Sequence, residues 1–279
     1  MYFSVLRAAK QISINRMLQV IPVPALEDNY MYLVFDSEKK HAAAVDPVEP
    51  EKIQKIANEL SLSICAALVT HHHWDHAGGM KQFRELYPDP SIKIYGGDAR
   101  IDCLDVHLKH EDHFEFGGLK TRALSTPCHT KGHICYYVER GNERVVLTGD
   151  TLFIAGCGKF FEGTAEQMQR NLNEVLASLP DDTRVYPGHE YTSSNLKFAK
   201  HIEPNNQDVI AKLKFSLDCD AKKQPTVPST IGEEKKINPF MRVNSNEIQK
   251  QVSAISPVDV MAKLREAKNQ FRPANFACK

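Results

Sequence analysis

THHHWDHAGG, residues 70–79, follows directly on the short apolar run SICAALV at 63–69. A continuous apolar run of that length reads as a strand buried on both faces. The segment after it carries His71, His73, Asp75 and His76 within six residues. Imidazole and carboxylate are the usual ligands of zinc and related metals. In a loop, His71 and His73 can converge on one ion while Asp75 and His76 face a second. Gly78 and Gly79 let the backbone turn tightly behind them. Buried without a cation, four such groups would carry a large desolvation cost. Fully solvated, they would have no reason to follow a buried strand.

Three further candidates occur where other strands end. His129 follows LKTRALS in TPCHTKGH, Asp150 closes VVLTGD, and His189 follows RVYPG. A strand end is a rigid frame from which a loop presents a functional side chain. Together they make five histidines and two aspartates, enough for two ions if one carboxylate is shared. His72 is expected to point away between two ligands, and His133 to play a supporting role. His107, His110 and His113 fall in a charged run, HLKHEDHFEF, read as solvated. Cys128 and Cys157 have no His/Asn partners that would make either a nucleophile.

Outward from this centre, YMYLVFD and AAAVD read as two strands joined by a charged turn. Pro50 opens a helix with Ile53, Ile56, Ala57 and Leu60 on one face. IKIYGG, LKTRALSTP, HICYYVE and RVVLTGD are further strands, the last two joined through Arg140-Gly141-Asn142. AEQMQRNLNEVLASLP is an amphipathic helix with Met168, Leu172, Val175, Leu176 and Leu179 on one side. After Tyr191 the pattern is helical, with QPTVPSTIGEEKKINPF (224–240) read as a polar loop. The boundaries are therefore 1–16, an extension; 17–190, a mixed α/β unit; and 191–279, a helical unit.

Composition narrows the function. The chain has 279 residues, 42% hydrophobic and 25% charged, so it can bury a core. Thirty-five basic and thirty-five acidic residues cancel, which argues against whole-surface binding to nucleic acid or an anionic membrane. No apolar run approaches the ~20 residues that span a bilayer. Seven scattered cysteines without a C-x-x-C pair read as reduced thiols in an intracellular protein. No acidic residue precedes Glu27, while Arg7, Lys10 and Arg16 stand among apolar residues and serines. That composition is mitochondrial-presequence-like, and Met17 offers an alternative start.

The order HxHxDH, a single His, GD and a final GH resembles the metallo-β-lactamase superfamily. TPCHTKGHICYY, TGDTLFIAGCGKFFEGT, YPGHEYT, NLKFA, NPFMR and LREAKNQF extend the resemblance to glyoxalase II, the hydroxyacylglutathione hydrolases, from about Met17 to Phe271. The resemblance implies a four-layer αββα sandwich with a C-terminal helical domain. It implies that His71, His73 and His129 hold one metal, Asp75, His76 and His189 a second, and that Asp150 bridges. Zinc is the expected pair of ions, with iron and manganese as alternatives. Two cations lower the pKa of a shared water from about 15.7 toward neutrality. A bridging hydroxide would then attack the thioester of S-D-lactoylglutathione, giving D-lactate and glutathione in methylglyoxal detoxification, with Asp75 helping to orient it.

By the same resemblance Arg265 and Lys268 bind the glycine carboxylate, and Lys159 and Tyr191 are further contacts. Phe161 departs from the family loop, where tyrosine is common, and offers no phenolic hydroxyl. Weaker substrate binding with intact chemistry is the expectation. The partner is thus a small glutathione thioester, the chain a monomer, and the compartment the mitochondrial matrix, the cytoplasm or both. The competing readings are a one-iron persulfide dioxygenase, a lactonase or nuclease on this scaffold, and a binding or scaffold protein with a degenerate site.

Overall fold

The computed structural model describes residues 16–272, so the presequence reading and Cys278 fall outside the described residues. Strands β1 (Leu18–Ala25), β2 (Asn29–Asp36), β3 (His41–Val45), β4 (Ser63–Leu68), β5 (Lys93–Gly96) and β6 (Val106–His107) form one sheet in that order. β1, β2 and β3 pair antiparallel, and β3 to β6 run parallel. The second sheet has the order β14 (Ser229–Thr230), β13 (Arg184–Pro187), β10 (Glu143–Gly149), β9 (Ile134–Arg140), β8 (Leu119–Ser125) and β7 (His113–Phe116).

Period-two alternation assigns the two faces. In β2, Tyr30, Tyr32 and Val34 join Leu68, Tyr136, Val138, Leu147 and Tyr186 in the core between the sheets. Met31, Leu33 and Phe35 point the other way, onto Ile53, Ile56, Met80 and Phe83 of the helices Pro50–Glu59 and Met80–Leu86. The outer face of the second sheet, with Leu124, Cys135, Val146 and Val185, is covered by Met168, Leu172, Phe198, Phe240 and Leu264. β2 is buried along its whole length because both faces are covered. The result is the expected four-layer αββα sandwich.

Three readings change. The stretch 224–240 is not a polar loop: it holds β14, helix Ile231–Ile237 and a 3-10 turn at Pro239–Met241. Its polar pattern hid this because Glu234 and Asn238 are buried as hydrogen-bonding groups. β14 pairs with β13, so strands do not stop at Tyr191. The run 107–116, read as solvated, carries the end of one short strand and the whole of another, β6 and β7, with apolar anchors. Leu108 and Phe116 are buried, and Phe114 stacks on Tyr95 at 4.3 Å. His107, His110 and His113 are exposed, as expected. Finally, the helix from Ala165 changes to a π-helical turn at Asn171–Leu176. There Asn171 donates to Pro127 O, and Asn173 to Gln169 O and Phe240 O.

No helix among the described residues is long and apolar enough to cross a membrane. The six described cysteines are all free.

Candidate metal centre

The site forms where β4, β10 and β13 end and the loop after β8 turns back. His71, His73, Asp75 and His76 leave β4 and run into a single helical turn, Trp74–Ala77. Asp150 follows β10 and His189 follows β13. β10 and β13 are adjacent and parallel, so their ends arrive side by side. Gly188 is required by this approach: a Cβ there would stand 2.5 Å from Asp150 Oδ1 and 2.7 Å from His76 Cε1.

Three groups of donor atoms converge, each within 4.8 Å: His71 with His73 and His129; His71 with His76 and Asp150; Asp75 with His76 and His189. Asp150 lies between the outer two. Its Oδ2 is 3.3 Å from both His129 Nε2 and His189 Nε2, and its Oδ1 is 3.4 Å from His76 Nε2. His73 Nδ1 and His129 Nε2 approach to 3.1 Å, and His76 Nε2 and His189 Nε2 to 3.2 Å.

The opposite ring nitrogens fix the tautomers, with protons assigned from the network. His76 Nδ1 donates to Asp46 Oδ2 at 3.0 Å, and His189 Nδ1 to Asp28 Oδ1 at 2.8 Å. His129 Nδ1 donates to Lys159 O at 3.0 Å. Thr70 donates its hydroxyl to Asp46 Oδ2 and so accepts from His71 Nδ1. Each of these rings therefore turns its Nε2 inward. Asn29 Nδ2 donates to Asp75 Oδ2 at 3.0 Å, setting that carboxylate.

These residues fit a pair of cations. His71 Nε2 and Asp150 Oδ1 are buried without a hydrogen-bond partner. Lone pairs facing one another at these distances repel unless positive charge lies between them. Burial opposes a charged His76, yet Asp150 and then Asp46 outweigh it and push its pKa up to about 9. Burial likewise opposes a charged Asp150, but His76 and His189 hold it well below the usual carboxylate range. The site thus favours an anionic Asp150 with positive charge beside it. Burial drives His71, His73 and His129 below the ordinary histidine value, toward the neutral form that metals require.

The centre opens into a cavity of about 600 Å³. Phe161 packs at one side, its ring 5.8 Å from His73 and 5.1 Å from His129. Tyr191 stacks on His189 at 4.7 Å, and Phe153 meets both. The far wall belongs to helix Pro257–Gln270, with Arg265 and Lys268, and Lys159 stands at the mouth. Arg265 is buried, donating to Cys157 O at 2.8 Å and to Asn269 Oδ1 at 3.0 Å. Lys268 Nζ donates to Ser194 O at 3.1 Å. A larger groove, about 790 Å³ between Gln207–Lys222 and Ile231–Ile237, contains none of these residues.

All twelve residues singled out in the sequence meet here. His72 lies aside, its Nδ1 3.3 Å from Asp98 Oδ2. His133 is buried and accepts from the Asp150 backbone N–H, a supporting role. Sequence reasoning missed Asp28, Asn29, Asp46 and Thr70. Only Asp46 left a trace, as a carboxylate closing an apolar strand in the manner of Asp150.

Residues 27–189 match the metallo-beta-lactamase superfamily, and residues 190–271 match the hydroxyacylglutathione hydrolase C-terminus. The cytoplasmic hydroxyacylglutathione hydrolase of Arabidopsis thaliana is 49% identical over 260 residues, covering 91% of this chain and all of the relative. A hydroxyacylglutathione hydrolase-like protein of Gallus gallus is 44% identical, covering 91% of each. Among solved structures, ETHE1 from Myxococcus xanthus superposes with a TM-score of 0.65 at 26% identity, over 92% of this chain and 93% of that one.

Proposed function

The chain belongs to the hydroxyacylglutathione hydrolase family of the metallo-β-lactamase superfamily, and on that premise we propose how this site works. The enzyme hydrolyses 2-hydroxyacylglutathione thioesters, with S-D-lactoylglutathione as the main substrate and D-lactate and glutathione as products. One observation carries the reading: Asp150 stands 3.3 Å from a histidine nitrogen of each outer donor group, His129 and His189, in a cavity also lined by Arg265, Lys268 and Lys159.

In this reading His71, His73 and His129 hold one divalent ion, Asp75, His76 and His189 a second, and Asp150 lies between. Two ions held there supply an acidified water and Lewis-acid polarisation of the substrate carbonyl. The nitrogen and oxygen donors make zinc our first choice and also accommodate iron and manganese. The protein's own part is orientation. Asp46 and Asp28 keep the lone pairs of His76 and His189 inward, and Asn29 keeps Asp75 Oδ2 in place. Lys268, Arg265 and Lys159 receive the carboxylates of glutathione. Phe161 and Tyr191 wall the thioester from either side. Water adds to that carbonyl, the C–S bond breaks, and the thiolate leaves without strong proton donation, because it is already a good leaving group.

Residues 17–190 then form the catalytic unit and 191–279 the glutathione-binding unit of a monomer. We place the protein in the cytoplasm, with a matrix form when translation begins at Met1. β1 begins at Leu18, immediately after the alternative start at Met17.

Metal analysis together with thioester hydrolysis on one preparation tests the reading. About two ions per chain and rapid release of glutathione are expected. Faster hydrolysis of acyl-coenzyme A or a lactone would refute the substrate. Oxygen consumption with glutathione persulfide would favour a dioxygenase.

A further inference from the structure

The loop Gly158–Gly163 carries both Lys159 and Phe161 across the mouth of the cavity. It leaves from the short hairpin Leu152–Phe153 with Gly156–Cys157, and its far end is gripped from the turn after β5 of the first sheet. Arg100, in the turn after β5, donates from NH1 to Glu162 Oε1 at 2.6 Å and from NH2 to Glu162 Oε2 at 2.8 Å. The same guanidinium is locked behind by Asp98, through Nε at 2.9 Å and NH2 at 2.7 Å, and Asp98 is buried. Glu162 also accepts from Lys131 N at 2.7 Å, and its own N–H donates to Cys128 O. One planar cation thus spans two carboxylates, from the turn after β5 and from the loop after the short hairpin. Arginine is suited to this because its donors form a rigid fork. Arg100 and Glu162 stay outside the cavity lining, which contains Lys159 and Phe161.

We propose that Arg100 is a positioning residue for substrate recognition, acting through Glu162 to hold Lys159 and Phe161 at the mouth. Without the Arg100 fork, the loop remains tied by Gly158 N to Thr151 O, by Lys159 O to His129 Nδ1 and by Glu162 N to Cys128 O. The donor atoms of the metal centre therefore keep their places, while Phe161 and the Lys159 side chain lose theirs. The inference rests on the functional reading above and adds to it which residue, remote from substrate, sets affinity.

The test is a double-mutant cycle on the metal-loaded full chain with Arg100→Ala, Glu162→Gln and the pair. Three quantities are measured: KM and kcat for S-D-lactoylglutathione, the Kd of S-methylglutathione by calorimetry, and metal content. Arg100→Ala and Glu162→Gln should each raise KM and Kd about fivefold, the scale of a partly exposed bidentate pair. kcat should stay within about twofold and metal content should not change. The double variant should be no worse than the worse single one, because both act through one contact. Arg100→Lys should recover only part, since an ammonium cannot hold both carboxylates in the same plane. Additive effects, loss of metal, or unchanged KM and Kd in both single variants would each overturn the proposal. A wild-type protein that neither cleaves the thioester nor binds S-methylglutathione would overturn the functional reading, and the proposal with it.

Discussion

Replacing Lys268 by methionine keeps an unbranched stem on the last helix and removes the ammonium. That ammonium is half-buried, lies 5.4 Å from the centre of the Phe198 ring and donates to Ser194 O. Burial, and then the neighbouring Arg265, pull its pKa down to about 8. A charge-assisted contact contributes about 1.5–3 kcal/mol when dry and less when water reaches it. At the lower bound, about 1.4 kcal/mol for each decade, Lys268→Met should raise KM for a glutathione thioester about tenfold. The sign with pH follows from the charge. Raising pH through about 8 takes the proton off Lys268, removes the positive charge and weakens carboxylate binding. kcat/KM is the right quantity, because it reports groups of the free enzyme. The ratio of wild type to Lys268→Met should be about ten below pH 7 and fall toward one above pH 9. Taking the ratio cancels the pH dependence of the metal centre, which both proteins share. Calorimetry with S-methylglutathione should show the same convergence without turnover. A ratio that stays constant from pH 6.5 to 9.5 would refute the argument, as would an unchanged KM.

Other outcomes follow from the same geometry. Asp150→Ala should lower metal content in both positions, and retention of two ions per chain would remove it from the shared role. Phe161→Tyr should lower KM about threefold, the lower part of the range for a neutral hydrogen bond because the ring is 61% exposed; an unchanged KM would show that the hydroxyl finds no partner. Glu234 is fully buried, and burial pushes its carboxyl from 4.5 up to about 7 against the hydrogen bonds of Ser229, Ala155 and Asn238. A raised carboxyl pKa contributes stability that is full below pH 4.5 and is lost as pH rises through about 7. That displacement corresponds to about 3 kcal/mol. Glu234→Gln should therefore gain on the wild type in urea denaturation across this window, and a pH-independent difference between the two would count against it.

The cluster of ligand-type side chains was legible because its signals are local. Four ligand-type residues in six positions, placed after an apolar strand, leave few structural alternatives. Asp150 and His189 were legible for a related reason, since both close strands whose apolar runs are plain. The carboxylates behind them were not. Asp28, Asp46, Asp98 and Glu162 are four among thirty-five acidic residues, and nothing in their spacing shows which cation or imidazole they will meet across the fold. The stretch 224–240 misled for a different reason. Burial of Glu234 is offset by donors from Ser229, Ala155 and Asn238, so a charged sequence became an interior helix. Hydropathy cannot register a polar group one of whose partners, Ala155 N, lies 79 residues away in the chain.

Those partners explain how the C-terminal helical segment comes to line the same cavity as the ligand-type residues. Glu234 accepts from Ala155 N, Asn238 donates to Phe153 O and Gly156 O, and Arg265 donates to Cys157 O. All three grip the same short hairpin, Leu152–Phe153 with Gly156–Cys157. That hairpin starts two residues after Asp150 and sets Phe153 against His189 and Tyr191. β14 adds a further tie by pairing with β13, the strand that delivers His189. The C-terminal segment therefore does more than bring cations near the metal centre. It is bonded to the backbone that leaves the centre, so the distance from Lys268 to Asp150 is fixed by hydrogen bonds rather than by a flexible joint. In the proposed reading, a thioester held by its carboxylate at one end would meet the metal ligands at a set reach, which is the positional part of catalysis.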